Sequence, residues 1–124
     1  MKVLSLILVN LVAAEAFFIM VLEMFLTQTK LARDAFDLSA EYLAQKETRV
    51  SMANQGLYNG FLGVGIVVAE LMLSGVPQVI VLYLFVGFVL VAAVFGALTA
   101  NKKILLTQGL PALLALLALI IANH

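Results

Sequence analysis

The chain has 124 residues, which leaves room for one domain. Apolar residues make up 65% of it and charged residues 11%, and its mean hydropathy is +1.16, whereas soluble domains carry about 45–50% apolar and about 25% charged residues. A soluble fold of this size cannot bury so much apolar surface, so the sequence predicts an integral membrane protein. The lack of cysteine excludes disulfides and a cysteine nucleophile, and the zero net charge predicts no nucleic-acid partner.

The N-terminus resembles a secretory signal, because Lys2 precedes an apolar run and the small-residue sequence Ala14-Glu15-Ala16. The apolar run, however, continues through Phe25, which is longer than the roughly 7–15 residues of a typical signal. The segment is therefore predicted to be a retained membrane span.

Four stretches approach the roughly 20 apolar residues that a membrane-spanning helix requires. They are residues 4–26, 52–73, 79–98 and 104–122. Their apolar residues are continuous and do not alternate with polar ones, which favours helices over a barrel. The sequence thus predicts an all-α integral membrane fold, a four-transmembrane-helix bundle formed by residues 1–124 as a single domain.

Two of the predicted connections are short. Residues 74–77 contain Gly75 and Pro77, which indicate a tight turn because proline does not continue a preceding helix. Residues 101–103 form the other short connection. The first connection, by contrast, is long.

Residues 27–50 form this long connection, which carries eight charged side chains and is interpreted as a solvated hairpin. Asp37 or Ser39 is predicted to cap a helix that continues into the second span. Six of the seven basic residues lie in the first and third connections, and only Lys2 lies on the other side. The positive-inside rule therefore predicts an inner (cell) membrane protein with both termini outside and the long charged connection in the cytoplasm.

Three carboxylic acids interrupt the predicted spans: Glu15, Glu23 and Glu70. A charge at the bilayer centre costs about 2.5–3.5 kcal/mol on insertion scales, so each acid is expected to face the bundle interior, stay protonated or lie near an interface. Glu15 and Glu23 are separated by about 80° and about 12 Å along a helix. Glu15 is interpreted as a structural carboxyl group and Glu70 as an interfacial one.

The second span begins with polar side chains related by i,i+4 spacing, which share a broad helix face. They are Asn54, Gln55, Tyr58 and Asn59. Small residues that let helix backbones approach closely in lipid fall on roughly the opposite face. They are Gly56, Gly60 and Gly63.

Residues of three spans are predicted to meet at one depth in the cytoplasmic half. Glu23 lies about one turn inside the first span, at the depth of the polar face of the second and of Thr107 and Gln108 in the fourth. Pro111 is expected to free the carbonyl of Thr107 as a further acceptor. These groups either bond to one another and fix helix register, or form a polar pocket with Glu23 as its acid. Neither reading is excluded by the sequence.

Several motifs closely resemble a bacterial membrane family called domain of unknown function 1304. They are Val21-Leu22-Glu23-Met24-Phe25, the run Ala53-Asn54-Gln55-Gly56-Leu57-Tyr58-Asn59-Gly60-Phe61-Leu62, Lys103-Ile104-Leu105 and Gln108-Gly109-Leu110-Pro111-Ala112-Leu113. The resemblance covers nearly the whole chain, and the family name implies no activity.

The run from Arg49 to Gln55, followed by Phe61-Leu62, is similar to the second helix of the membrane-associated proteins in eicosanoid and glutathione metabolism (MAPEG), especially the five-lipoxygenase-activating protein. The fourth span resembles the prostaglandin E synthase branch. This resemblance implies a MAPEG-like homotrimer of four-helix protomers, with sites between neighbouring protomers in the cytoplasmic half.

The resemblance does not extend to the catalytic residues of the MAPEG enzymes. Arg49 fits the basic residue that opens the helix, but Met52 replaces a glutathione-contacting arginine. Gly56 stands where the enzymes have asparagine, and Asn59 where they have glutamate. Glutathione is thus a possible ligand whose key contact positions differ, and a non-catalytic binder is expected.

The leading hypothesis is a binder of a small lipophilic or amphipathic molecule at protomer interfaces, with membrane lipid and identical chains as partners. The predicted ligand-binding residues are Glu23, Arg49, Asn54, Gln55, Tyr58, Asn59 and Gln108. Alternatives are a proton-coupled exporter of the small multidrug type that uses Glu15, a glutathione-dependent membrane enzyme, and a structural subunit without a pocket. The sequence contains no metal-ligand cluster, and its one histidine, His124, is the last residue.

Overall fold

A computed structural model describes residues 2–124, and this part of the chain contains helices and short connections but no strand. The helices are α1 (Lys2–Phe25), α2 (Lys30–Phe36), α3 (Ala40–Ala44), α4 (Lys46–Met72), α5 (Gly75–Thr99), a π-helical turn (Leu105–Gly109) and α6 (Leu110–Ala122). Four of these units are long and apolar enough to cross a membrane: α1, α4, α5, and the π turn together with α6.

The predicted spans end within one residue of these helices, but α4 and α5 begin at Lys46 and Gly75, well before the predicted residues 52 and 79. Helix α4 begins at Lys46 and not at residue 52, because its first polar turns continue the helix beyond the apolar segment. The predicted turn is as tight as expected but lies at Leu73 and Ser74 and not at residues 74–77, because helix α5 begins at Gly75. Pro77 lies in the first turn of α5, where its missing N–H leaves no helical bond unmade.

The long connection folds into two short helices. Thr29 caps α2 by accepting from the amide of Ala32. Ser39 caps α3 as predicted, with its Oγ 3.1 Å from the amide nitrogen of Tyr42. Asp37 instead ends α2 in the left-handed conformation, at φ 56°. The chain is extended at Gln45, between α3 and α4, so the predicted continuous helix into the second span is wrong.

Helix α1 packs most extensively against α4 and next against α6, while α5 packs on α6, the π turn and α4. The buried core is built from aliphatic side chains of all four units, most of them small or β-branched: Val9, Val12, Ala13, Ile66, Ala69, Leu82, Val86, Val89, Ala112, Ala115 and Leu119. Many large apolar side chains on the outer faces are exposed, Leu98 at 82% among them. Such an exposed apolar surface fits a lipid environment.

Three glycines of α4 are buried against α1. A Cβ at Gly63 would lie 3.1 Å from the carbonyl oxygen of Ala13, and one at Gly56 would lie 3.1 Å from that of Met20. A Cβ at Gly60 would collide with the side chain of Met20. The two backbones therefore approach too closely for any larger residue, which is the use of small residues expected in lipid.

The last span opens with the π-helical turn, in which the amide of Leu110 donates to the carbonyl of Leu105, five residues earlier. Pro111, which has no N–H to donate, directly follows this turn. A π turn inserts an extra residue into the helix and rotates the residues before it relative to those after it. Thr107 and Gln108 lie within this turn, so the turn and not α6 determines which way their side chains face.

Candidate binding cleft

A hydrogen bond between α1 and α4 lies at the centre of the polar layer. The Nδ2 of Asn59 donates to Oε1 of Glu23 at 2.5 Å. Glu23 is only 4% exposed, and its other oxygen makes no hydrogen bond with residues 2–124. A buried acid with one satisfied oxygen retains an acceptor for a further donor.

Glu23 lines a cleft of about 660 Å³, which is within the range of about 300–1,000 Å³ typical of small-molecule sites. The cleft lies at the end of the bundle that carries α2, α3 and residues 100–104, which we call the connection end. Most of its wall is apolar, formed by Phe18, Ile19, Leu22, Leu31, Ala35, Phe36, Leu38, Met52, Ala100 and Ile104. Its polar groups come from α1, α2, α4, the π turn and the connection before it: Glu15, Glu23, Asp34, Gln55, Asn59, Asn101, Lys103, Thr107 and Gln108.

Four of the seven predicted ligand-binding residues line this cleft: Glu23, Gln55, Asn59 and Gln108. The other three do not. Arg49, Asn54 and Tyr58 are exposed on α4, and Tyr58 is 74% exposed. The broad polar face predicted for α4 is therefore divided, because Gln55 and Asn59 line the cleft while Asn54 and Tyr58 lie outside it.

Several cleft residues were missed or given another role by the sequence. Glu15 was interpreted as a structural acid, but it lines the cleft with Glu23 and makes no hydrogen bond within residues 2–124. Asp34, Asn101 and Lys103 belong to connections, whose position over the cleft no hydropathy pattern reveals. The Nδ2 of Asn101 is buried without a partner among the described residues, although its Oδ1 accepts from the amide of Lys103 at 2.9 Å.

The third acid lies at the opposite end of the α1–α4 pair. Glu70 accepts from Nδ2 of Asn10 at 2.9 Å, and its backbone carbonyl accepts from Gln78. Gln78 also donates to the carbonyl of Leu73 at 2.8 Å and so satisfies the C-terminal end of α4. Glu70 is therefore remote from the cleft and bonded within the protein.

The described residues contain no group of three or more histidine, cysteine or acidic side chains that could hold a metal ion. The cleft combines hydrogen-bonding and acidic groups with a largely apolar wall. This arrangement suits a molecule with one polar end and one apolar end.

Residues 10–120 match the model of a family described as a protein of unknown function, DUF1304. The chain belongs to this family. It is also 40% identical over 118 residues to the uncharacterized protein YpaA of Lactococcus lactis subsp. lactis (strain IL1403), a match that covers 95% of this chain and 98% of that protein. No solved structure matches the chain. The DUF1304 assignment expected from the motifs is thus confirmed, while the similarity to MAPEG proteins stays a prediction.

Proposed function

We propose that this DUF1304 protein binds a small lipophilic or amphipathic molecule in the cleft at the connection end. The observation that carries the proposal is the position of Glu23, a buried acid with one free oxygen at the wall of a largely apolar cavity. An acceptor that faces a largely apolar cavity gains by bonding to a donor there. A ligand with a polar head supplies that partner.

We further propose that the protein works in the inner membrane as a MAPEG-like homotrimer. Asn54 and Tyr58 are exposed on a helix apolar enough to span a membrane, where polar groups gain by finding a partner on another helix. In a cyclic trimer, one surface of each chain contacts a different surface of the next. The exposed face of α4 in one chain then lies beside the cleft of its neighbour and brings Arg49, Asn54 and Tyr58 toward the ligand.

The proposed orientation puts both termini outside and the connection end in the cytoplasm. Lys30, Arg33, Lys46, Arg49, Lys102 and Lys103 all lie at the connection end. This asymmetry favours retention of that end in the cytoplasm. The cleft then opens toward the cytoplasmic side.

A second candidate function, proton-coupled export, rests on Glu15. Its carboxyl group lines the same cleft and lies deeper in the first span than Glu23. An acid at this depth is the group that a proton-coupled exporter would use to exchange a proton for its substrate. Proton release on addition of substrate, lost in Glu15→Gln, would favour export over binding alone.

A tryptophan reporter tests binding, because the chain contains no tryptophan. Phe18→Trp places the reporter in the cleft wall, and Phe88→Trp places a control on the outer face of α5. The probe is ω-bromododecanol, whose bromine quenches nearby indole groups. In lipid nanodiscs we expect saturable quenching of the Phe18→Trp reporter and only gradual, unsaturable quenching of the control.

A pair of neighbouring substitutions shows where the probe binds. Thr107→Phe fills the cleft, whereas Leu106→Phe adds an aromatic ring at an adjacent position outside it. We expect the first to abolish saturable quenching of the Phe18→Trp reporter and the second to preserve it. Unsaturable quenching in both reporters, or saturable quenching that Thr107→Phe leaves intact, contradicts the proposed function.

A further inference from the structure

The cleft is acidic as well as apolar. Three carboxyl groups line it, those of Glu15, Glu23 and Asp34, against the single ammonium group of Lys103. Asp34 and Lys103, which carry opposite charges, lie in the connection-end segments. Glu15 and Glu23, on α1, have no basic residue beside them among the side chains that line the cleft.

The two deep acids also have unused acceptors. Asn59 occupies one oxygen of Glu23, and no described residue donates to Glu15. Glu23 is 4% exposed and lines the cleft, so its free oxygen is reached through the cleft and not from the outer surface of the bundle. The amide groups around it, Gln55 and Gln108, are hydrogen-bonding but carry no charge.

An ammonium group fits this arrangement better than other head groups. It offers three N–H donors and a positive charge, and hydrogen bonds between ionised partners are roughly twice as strong as neutral ones. A carboxylate head offers no donor to the free oxygens of Glu15 and Glu23, and any negative charge on these acids repels it, which disfavours binding. The apolar wall of Phe18, Leu22 and Ile104 then contacts the hydrocarbon part of the ligand.

We propose that the cleft selects amphiphiles with a protonated amine head group and a single apolar chain over neutral and anionic amphiphiles of the same length. This inference rests on the proposed function, since it names the class of molecule that the same cleft binds. It assigns Glu15 and Glu23 as the residues that determine head-group specificity.

The Phe18→Trp reporter tests the selection with three probes that differ only in the head group: ω-bromododecylamine, ω-bromododecanol and ω-bromododecanoate. Quenching of the Phe88→Trp control corrects for unequal partitioning into the bilayer. We expect the amine to bind most tightly and the carboxylate most weakly, with about a tenfold difference in dissociation constant between them, equivalent to about 1.4 kcal/mol.

Substitutions of single acids assign the selection to residues. Glu15→Gln removes one acid that makes no hydrogen bond with the described residues, and Glu23→Gln keeps an oxygen that accepts from Asn59. Each is expected to reduce the preference for the amine severalfold. Glu70→Gln is the matched control, because Glu70 bonds Asn10 away from the cleft, and it should leave the preference unchanged.

The outcomes separate the two proposals. If all three probes bind saturably with equal affinity and Thr107→Phe abolishes all of them, the cleft is a binding site but the head-group inference is wrong. Selection for the amine that survives Glu15→Gln and Glu23→Gln together also overturns the inference. If no probe binds saturably, the proposed function itself fails.

Discussion

Asn59 on α4 and Glu23 on α1, separated by 36 positions in the sequence, are joined by a 2.5 Å hydrogen bond at the connection end of the bundle. Asn10 and Glu70 repeat the arrangement at the other end, with donor and acceptor exchanged between the helices. Each helix thus contributes one amide and one acid. Because the helices are antiparallel, these two bonds fix their register at both ends, with the glycine contact between them.

Removal of the amide from the first pair should destabilise the helix pair. Asn59→Leu leaves Glu23 buried without its donor, and we expect a loss of about 0.5–2 kcal/mol in the free energy of unfolding in bicelles. A double-mutant cycle with Glu23→Leu should give a coupling energy between about 0.6 and 1.7 kcal/mol, the mean and the maximum found for interhelical hydrogen bonds in a membrane protein. Strictly additive effects of the two substitutions would mean that the bond does not form.

The close approach of α1 and α4 predicts opposite effects for two glycine substitutions. Gly63→Ala brings a Cβ within 3.1 Å of the Ala13 carbonyl and within 2.9 Å of the Phe17 ring, so α1 must move away. We expect destabilisation of about 1–3 kcal/mol. Gly87→Ala, in the middle of α5, meets nothing within 4 Å and should be neutral or stabilising by up to about 1 kcal/mol. Equal effects of the two in unfolding measurements would contradict the packing.

The proposed orientation predicts which positions a membrane-impermeant maleimide reaches. The chain has no cysteine, so single-cysteine variants give an unambiguous signal. Val76→Cys, exposed at the start of α5, should be labelled in intact cells. Glu41→Cys, exposed in α3, should be labelled only after the membrane is permeabilised. The reverse pattern would place the connection end outside.

The proposed trimer predicts a mass and its dependence on the exposed polar face of α4. Light scattering in mild detergent should give a protein mass of three 13.3 kDa chains. Tyr58→Ala, at a position 74% exposed in the single chain, should shift the protein toward monomers. Leu98→Ala, at an 82% exposed position on α5, is the matched control and should remain trimeric. A monomeric parent protein would contradict the trimer.

The sequence predicted the number of long helices and their ends well, because continuous apolar runs are a strong signal. It predicted the starts of α4 and α5 less well. Polar residues from Lys46 onward are helical outside the apolar segment, and Pro77 is accommodated in a first helical turn, so neither hydropathy nor the Gly-Pro signal marks a helix start. The extended Gln45 that separates α3 from α4 has no local sequence signal.

The cleft was predictable only in part, and for a geometric reason. Matching depths along three spans correctly selected Glu23, Asn59 and Gln108 as neighbours in the cleft. Depth does not give rotation about the helix axis, so Asn54 and Tyr58 were grouped with Gln55 although they lie outside the cleft. The π turn changes rotation further, and an i→i+5 bond is not encoded by any periodicity in a sequence of this length.

The central claim is that the cleft opens to water at the connection end of the bundle, and the reactivity of thiols placed inside and outside the cleft tests it most directly. Gln55 lines the cleft, whereas Leu57 is exposed on the outside of the same helix. Gln55→Cys and Leu57→Cys should be compared in inside-out vesicles with a charged, membrane-impermeant thiol reagent. We expect Gln55→Cys to react many times faster and to be protected by ω-bromododecylamine, since only its thiol reaches water. Equal rates at the two positions, or reaction of Gln55→Cys only from the outer side, would contradict a water-accessible cleft at the cytoplasmic end of the bundle.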